Sequence, residues 1–596
     1  MSIVMVDTIL QRGKNLFSQA NLKKPAEILY GRQANILSAA TVIMIMIAAS
    51  RLLGLLRNRV FVHYFPPQEL DTYLAAFQLP DLIFEVFVLG AMASAFIPIF
   101  ARSMSTGKEK EAWRIAGLMM NIMVGLFAIV SALIFIFAHP LYSVVARGFT
   151  PEQINQTVLF TRTLLLAQMF FAASYVFTAI LESNHRFLAP AVATLFYNLG
   201  IILTTVFFAP ELGLYAPVWG AVIGSFLHLT IQVPLALRLG FRPVWSLNFK
   251  DPRLKQIGKL ALPRIIELSA FQAKRLVDLF LASLVVGGLT YFKFGDSLAV
   301  LPTSLFGLSI AKASLPSLSM TASKNGLEDF KATFSSSFRQ IIFFVMPASV
   351  FLAVLRVPIV RLAFGGAHFD WEDTLQTGYV LTAFAFGIFA YSLSLLVSRG
   401  FYALHDTLTP VKVSFLSIGI NIILELVLIL VFKTPIWGLA FAYSAAGIIQ
   451  FTVLFFTLSR RIDGFGRIDI GHAFAKVIAA ASLSGALMFF LLKVLDRSAW
   501  DKRLSFLGQL GLALPAPFER VVLDTHYTSN LIILTFVVAV VGAVSYLATT
   551  WFLGIRELDI VVRAVKRVPF FAPLKRQTTE FPADTVVPPQ TNGTID

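Results

Sequence analysis

About fourteen apolar runs of roughly twenty residues punctuate this chain, and their recurrence constrains its fold more than any single motif. A helix needs about 20 residues to cross about 30 Å of hydrocarbon. The runs cover 36–58, 74–101, 113–138, 157–182, 188–209, 213–238, 258–287, 290–318, 337–364, 374–403, 409–432, 435–459, 470–494 and 528–553. Hydrophobic residues make up 57% of the sequence, against about 45–50% in soluble domains. Such an excess requires lipid, not a larger core. The expected fold class is an all-α polytopic membrane protein.

Charge orients the spans. The net charge of +16 invites a nucleic-acid reading, but the cations fall where cytoplasmic loops of membrane proteins collect them. Arg102, Lys108, Lys110 and Arg114 follow span 2. Arg238, Arg242, Lys250, Arg253, Lys255 and Lys259 follow span 6, and Arg460, Arg461 and Arg467 follow span 12. The alternate loops, such as GFTPEQINQT and APELGLYAP, carry almost none. Both termini are therefore expected in the cytoplasm, with no nucleic acid as partner. The loop holding Lys502, Arg503 and Arg520 is an exception, and long loops obey the rule poorly. A basic stretch with Arg563, Lys566, Arg567, Lys575 and Arg576 is expected to attract anionic membrane lipids, and the Pro/Thr-rich end after Phe581 to be disordered. No cleavable signal peptide is legible at the start.

A repeat is also legible. Span 2 holds FQLPDLIFEVFVLGAMASAFIPIFARSM, and span 8 holds DSLAVLPTSLFGLSIAKASLPSLSM. Each has an internal Pro, then a Gly, then small residues, then a second Pro. A shift of six spans keeps orientation, as in parallel transporter repeats. The predicted organisation is a cytoplasmic segment (1–34), an N-lobe of spans 1–6 (35–240) and a C-lobe of spans 7–12 (241–462). Spans 13–14 (463–555) and a basic, then disordered, tail (556–596) follow.

Several chemistries drop out. Cysteine is absent, which removes thiol nucleophiles and Cys-ligated metals. No P-loop, H-E-x-x-H or G-x-S-x-G pattern occurs. The expectation is a transporter, not an enzyme, with no catalytic residues. What stands out is span 1, TVIMIMIAASRLLGLLRNRVF, with Arg51, Arg57 and Arg59. Arginine near a bilayer centre costs about 2.5–3.5 kcal/mol on insertion scales, and such residues mark substrate paths. Cations held inside a membrane protein suit an anion. Ser50 and Arg57, seven apart, share a helical face, and Arg51 points about a third of a turn away. Arg59 is read as snorkelling at the helix end.

ASRLLGLLRNRV and DTYLAAFQLPDLIFEVFVLGAMASAFIPIF resemble the N-terminal signature of the MurJ/MviN lipid II flippases, within the multidrug/oligosaccharidyl-lipid/polysaccharide exporter superfamily. The resemblance continues at Ala179–Ile202, Leu301–Ser319 and Gly400–Ser414, in order, over about residues 35–555. It implies fourteen helices in two pseudo-symmetric six-helix lobes around a central cavity. The last two helices would flank a lipid-facing groove, and alternating access would move an undecaprenyl-pyrophosphate-linked peptidoglycan precursor. Two other readings stay open: an exporter of the same fold for another polyprenyl-linked glycan or amphiphile, and a non-transporting scaffold that binds cell-wall synthesis proteins.

By resemblance, Ser50, Arg51, Arg57 and Asp71 are substrate-binding residues. The sequence departs from the family where Phe84 and Leu89 replace an expected arginine and glutamate, and where Ser297 replaces an arginine after Asp296. Lys274 and Arg275 in span 7 are the expected replacements. The competing reading pairs Arg264 with Glu267 and Lys274 with Asp278, at helical spacing, and leaves Arg275 over. Asp278, Asn421 and Glu425 look like a sodium site of some family members, with Na+ as coupling ion. They are equally read as a paired or protonated carboxylate group. Asp406 with His405 is expected to cap the next helix, and Phe170, Phe171 and Tyr175 to pack.

Overall fold

Proline sets where the helices break. The computed structural model describes residues 36–89, 92, 96–242, 252–323, 327–465, 467–496, 523 and 527–561. Each of the fourteen runs falls mainly on helix in its described residues, with turns at positions such as Phe77, 284–287 and Leu355. The first is α1 (Ile36–Tyr64). The second is broken into α2 (Pro67–Ala76), α3 (Gln78–Ile83), a π-helical turn at Phe84–Leu89 and α4 (Ile97–Ser105). Four spans complete the first half: α5 (Glu109–Val145), α6 (Pro151–Ser183), α7 (Leu188–Leu212) and α8 (Tyr215–Arg238). The second half starts with α9 (Pro252–Ser283). Its next span runs through α10 (Gly288–Pro302), a π-turn at Thr303–Leu308 and α11 (Ser309–Ser323). Then come α12 (Leu327–Val354), α13 (Arg356–Phe364), α14 (Trp371–Ala403), α15 (Leu408–Leu426) with a π-turn at Val427–Val431, and α16 (Trp437–Arg461). Last are α17 (Arg467–Leu495) and α18 (Thr528–Phe552).

Eleven helical stretches among the described residues are long and apolar enough to cross a membrane. The expected fourteen are not all reached by that measure. Runs 1, 2 and 7 lie outside it, on α1, on the broken second span and on α9, which carries eight Lys, Arg, Asp and Glu side chains in its sequence. The chain is a multi-pass membrane protein. Residues 1–34, the cations at 502, 503, 520 and 563–576, and the end after Phe581 lie outside the described residues.

The repeat carries into geometry. Pro80 precedes the π-turn at Phe84–Leu89, and Pro302 the one at Thr303–Leu308. Proline cannot donate its helical hydrogen bond and crowds the preceding turn. A π-turn is one way for the helix to absorb this, and such turns recur at functional sites. α6 and α14, six spans apart, each start with a capping box, Thr150 with Gln153 and Asp370 with Asp373. His185 and His405 end those helices in the left-handed region, at φ 58° and 60°.

In the first half, α7 packs on α8, α6 on α8 and α5, and α1 on α7. α7 and α8 cross at Gly200, where a Cβ would meet Gly224 Cα at 2.7 Å, so only glycine permits this approach. In the second half, α14 is the hub for α10, α11, α12, α13 and α16. The halves meet where α2 touches α10, where α9 touches α3, α5 and the first π-turn, and where α13 touches α1. α17 and α18 are anchored on α12: Tyr546 Oη donates to the Phe343 carbonyl at 2.8 Å. Between α12, α14 and α17, Met346, Ala353, Phe386, Phe389, Phe474 and Ile478 line an apolar groove of about 380 Å³. Exposed apolar residues such as Ile129 and Ile136 on α5 and Phe536 on α18 complete a surface suited to lipid.

Candidate functional site

Ser50 and Arg51 on α1 line a cleft of about 340 Å³. Tyr175, Thr178 and Glu182 of α6, Thr194 of α7 and His228 of α8 form its other walls. Arg51 therefore opens onto the same cleft as Ser50, although it stands off by part of a turn. Two turns on, Arg57 Nη1 donates to Asn198 Oδ1 of α7 at 3.3 Å, and its guanidinium stacks on Phe61 at 5.6 Å. Its Nε and Nη2 share Asn58 Oδ1 at 3.4 and 3.3 Å. These partners are neutral, so they orient the guanidinium without cancelling its charge. Arg59 instead donates to the Leu362 carbonyl at the end of α13, at an exposed position. This fits its reading as a helix-end anchor.

Behind the cleft, His228 Nδ1 lies 2.7 Å from Ser174 Oγ, and Gln232 Nε2 donates to the same hydroxyl at 2.9 Å. Thr178 Oγ1 donates to Gln232 Oε1 at 2.8 Å. Phe171 packs edge-on to Tyr175, Tyr197 and His228, and Phe170 to Phe226, as the packing reading expects.

Asp71, expected to bind substrate, is placed at the interface between the halves and is 1% exposed. Its Oδ1 accepts from the Thr290 backbone N–H at 2.8 Å and from Thr290 Oγ1 at 2.7 Å. Thr290 is in the first turn of α10, whose N-cap, Gly287, has no side chain. A carboxylate from the first half thus caps a helix of the second, where unpaired N–H groups and the helix dipole favour negative charge.

In span 7, Lys274, expected to bind substrate, is engaged by carboxylates. Its Nζ is 2.7 Å from Asp278 Oδ2 and 3.2 Å from Glu425 Oε1. It also lies 5.2 Å from the Tyr443 ring centroid and 5.9 Å from that of Phe292. The contact to Glu425 is an ion pair whose angle falls outside hydrogen-bond geometry. Both Glu425 oxygens, Asp278 Oδ1 and Asn421 Nδ2 consequently have no hydrogen-bond partner, although buried. The donor set implied for sodium therefore does not fit that ion: an ammonium stands between its two carboxylates.

Arg275 is not left over either. Its Nη1 donates to Glu85 Oε1 at 2.6 Å, and Gln272 Nε2 donates to Glu85 Oε2 at 2.6 Å. Glu85 sits in the first π-turn, so this bridge joins the halves. The Arg264–Glu267 pair forms as its spacing predicts, at 2.7 Å.

Sequence reasoning missed Lys293 and gave Asp296 no role of its own. They stand three apart on α10, in electrostatic reach of one another and of Arg275; Lys293 also feels Asp81, and Asp296 feels Arg51. The signal was a charged pair at helical spacing inside the apolar stretch YFKFGDSLAV. Asp81 accepts from Gln168 Nε2 at 2.6 Å. The interface between the halves is thus a belt of mixed charge, in which Asp296 is within electrostatic reach of both Arg51 and Lys274. In the loop before α15, Asp406 caps as expected. Its Oδ1 accepts from the N–H groups of Leu408 and Thr409 at 3.1 and 3.0 Å, and Arg461 donates to Oδ2. The Thr409 N–H leads the interactions that hold this carboxyl below its ordinary range.

A family model described as "Lipid II flippase MurJ" matches residues 67–508. A Haemophilus influenzae protein named "Probable lipid II flippase MurJ" is 26% identical over 485 residues, covering 77% of this chain and 92% of that protein. A Vibrio cholerae protein of the same name is 25% identical over 500 residues, covering 80% and 94%. Among solved structures, a lipid II flippase MurJ in an inward closed conformation aligns with TM-score 0.68 and 23% identity, over 88% of this chain and 99% of that one. An inward-facing multidrug resistance MATE family transporter aligns with TM-score 0.59 and 13% identity, over 71% and 99%. These two structures establish the shared fold.

Proposed function

Because this chain belongs to the lipid II flippase MurJ family, we propose that it moves lipid II, an undecaprenyl-pyrophosphate-linked peptidoglycan precursor, across the bacterial cytoplasmic membrane by alternating access. The observation that carries this reading is the α1 cleft. Ser50 and Arg51 line it, and Arg57 follows on the Ser50 face with neutral partners only. Guanidinium groups bind phosphate oxygens through charge-assisted, often bidentate hydrogen bonds. A pyrophosphate would enter beside Arg51 and Arg57, while its polyprenyl chain stays in lipid along the apolar faces. Arg275, bridged to Glu85, would be freed for the substrate only when the halves separate.

Chain topology follows from loop charge: both termini lie in the cytoplasm. The translocation itself needs no catalytic group, and this chain acts as a transporter.

The test is complementation of a flippase-depleted strain, together with binding by the purified protein. The wild type should support growth and bind lipid II more tightly than undecaprenyl phosphate. Arg51→Ala and Arg57→Ala should insert normally and fail in both assays. Normal growth with either variant would remove the cleft from the mechanism. The carboxylates Asp81, Glu85 and Asp296 in the belt motivate a second reading, transport of a different polyprenyl-linked glycan. Tighter binding of such a glycan than of lipid II would select it.

A further inference from the structure

We propose that this chain carries a built-in cation, the Lys274 ammonium, where a free sodium ion would sit, and that the ion it exchanges there is a proton held by Glu425. The proposal deepens the transport reading and rests on it for its purpose, though not for its test.

The cluster lies between α9 and α15. Lys274 is 8% exposed, Asp278 7%, Asn421 4% and Glu425 0%. One ammonium and two carboxylates leave one uncompensated negative charge. Burying such a charge costs several kcal/mol, so the cluster must take up one more positive charge. The unpartnered atoms show where: Asp278 Oδ1, both oxygens of Glu425 and Asn421 Nδ2 are buried and lack hydrogen bonds.

Sodium suits this place poorly. An ion bound to the same carboxylates would crowd the ammonium, and two cations that close repel strongly away from water. Hard cations also need several oxygen ligands, whereas the Phe292 and Tyr443 rings face Nζ. A proton needs no cage. A like charge close by in a dry site favours the protonated form of a carboxyl, and a protonated Glu425 supplies the missing donor.

The charged and titratable neighbours fit an exchange site. Arg275 stands beside Lys274 on α9 and is neutralised by Glu85. Asp296 and Lys293 approach from α10, Tyr391 from α14 and Tyr443 from α16. Tyr443, Tyr391 and Asp296 line an adjoining pocket of about 120 Å³, and Asp296 is exposed there. Tyr443 thus belongs both to this pocket and to the wall over Lys274. The proton enters from water in the pocket: hydronium gives its proton to the Glu425 carboxylate and leaves as water, and the reverse step returns it. No other bond changes.

The full chain, purified in nanodiscs, provides the test without any transport assay. First, thermal unfolding is measured in sodium chloride and in choline chloride. The wild type should melt at the same temperature in both. Lys274→Met vacates the space, so sodium should now raise its melting temperature by several degrees where choline does not, the shift growing with sodium concentration. Second, the infrared difference between wild type and Glu425→Gln should contain a protonated-carboxyl stretch that disappears as pH rises. Glu425→Gln is nearly isosteric and leaves the ion pair neutral, so this measurement stands even if Lys274→Met fails to fold. Saturable, sodium-specific stabilisation of the wild type would overturn the proposal. So would the absence of the carboxyl band, or a folded Lys274→Met that is indifferent to sodium. A chain that bound no lipid II would leave all these readouts unchanged, so the two readings fail separately.

Discussion

The α1 cleft and the α9–α15 cluster start from the same anomaly, basic side chains in apolar helices, and resolve it in opposite ways. Arg57 meets Asn198, Asn58 and an aromatic face, all neutral. Lys274 meets Asp278 and Glu425. The first arrangement leaves positive charge for a ligand, and the second uses it up and leaves negative charge over. The lesson is that a cation's position along a helix does not reveal its role; its counter-charges do. Arg275 is the intermediate case, bound to a carboxylate that the opposite half supplies.

The largest expected effect tests the cluster. Lys274→Leu should destabilise the protein by about 3–5 kcal/mol, because it leaves a buried carboxylate charge without its counter-ion. Adding Asp278→Asn and Glu425→Gln should recover most of the loss. Equal stability of the single and triple variants in denaturant unfolding would show that the charges do not interact as described. In the cleft, Arg57→Ala should leave unfolding nearly unchanged and weaken lipid II binding by about 10–100-fold, from the loss of about 1.5–3 kcal/mol of charged hydrogen bonding. A large stability loss with unchanged binding would reverse the assignment of the two regions.

Smaller effects sharpen the contrast at the interface. Asp71→Ala should cost about 0.5–2 kcal/mol, the range for a lost helix cap, and Thr290→Val should cost less, since it keeps the backbone N–H. Binding should not follow unless the halves separate. Glu85→Gln should cost no more than about 1 kcal/mol, because the bridge to Arg275 is partly solvated. It should nevertheless raise affinity for the anionic substrate by freeing Arg275, and reduced affinity would show that the bridge itself shapes the site.

The smallest effect lies outside the membrane. Asp406 is held below its ordinary range by the Thr409 N–H and its other partners. A depressed carboxyl contributes stability that is fully present above its unfolded value and lost as pH falls through the folded one. The cost of Asp406→Ala, again about 0.5–2 kcal/mol, should therefore be constant from pH 5 to 8 and shrink only in strong acid. A cost that changes near neutrality would contradict that cap.

Much of this was legible from residues alone. The apolar runs predicted the helices because length and hydropathy act locally. The two-Pro pattern predicted the repeat, and its physical content is a π-turn after Pro80 and another after Pro302. Spacing alone predicted the Arg264–Glu267 and Lys274–Asp278 pairs, since residues three and four apart meet on any helix. Asp406 was legible as a cap for the same reason.

The rest depended on partners distant in sequence. Asp71 lies 219 residues from Thr290, and Arg275 lies 190 from Glu85. Nothing local distinguishes an aspartate that binds a substrate from one that caps a helix of the other half. The sequence by itself determined that this chain spans a membrane in helices, repeats itself after six, and places cations in α1 and α9. The tertiary structure alone decided which cations stay open to a ligand, because in a medium of low dielectric the nearest charges dominate, and only folding chooses the neighbours.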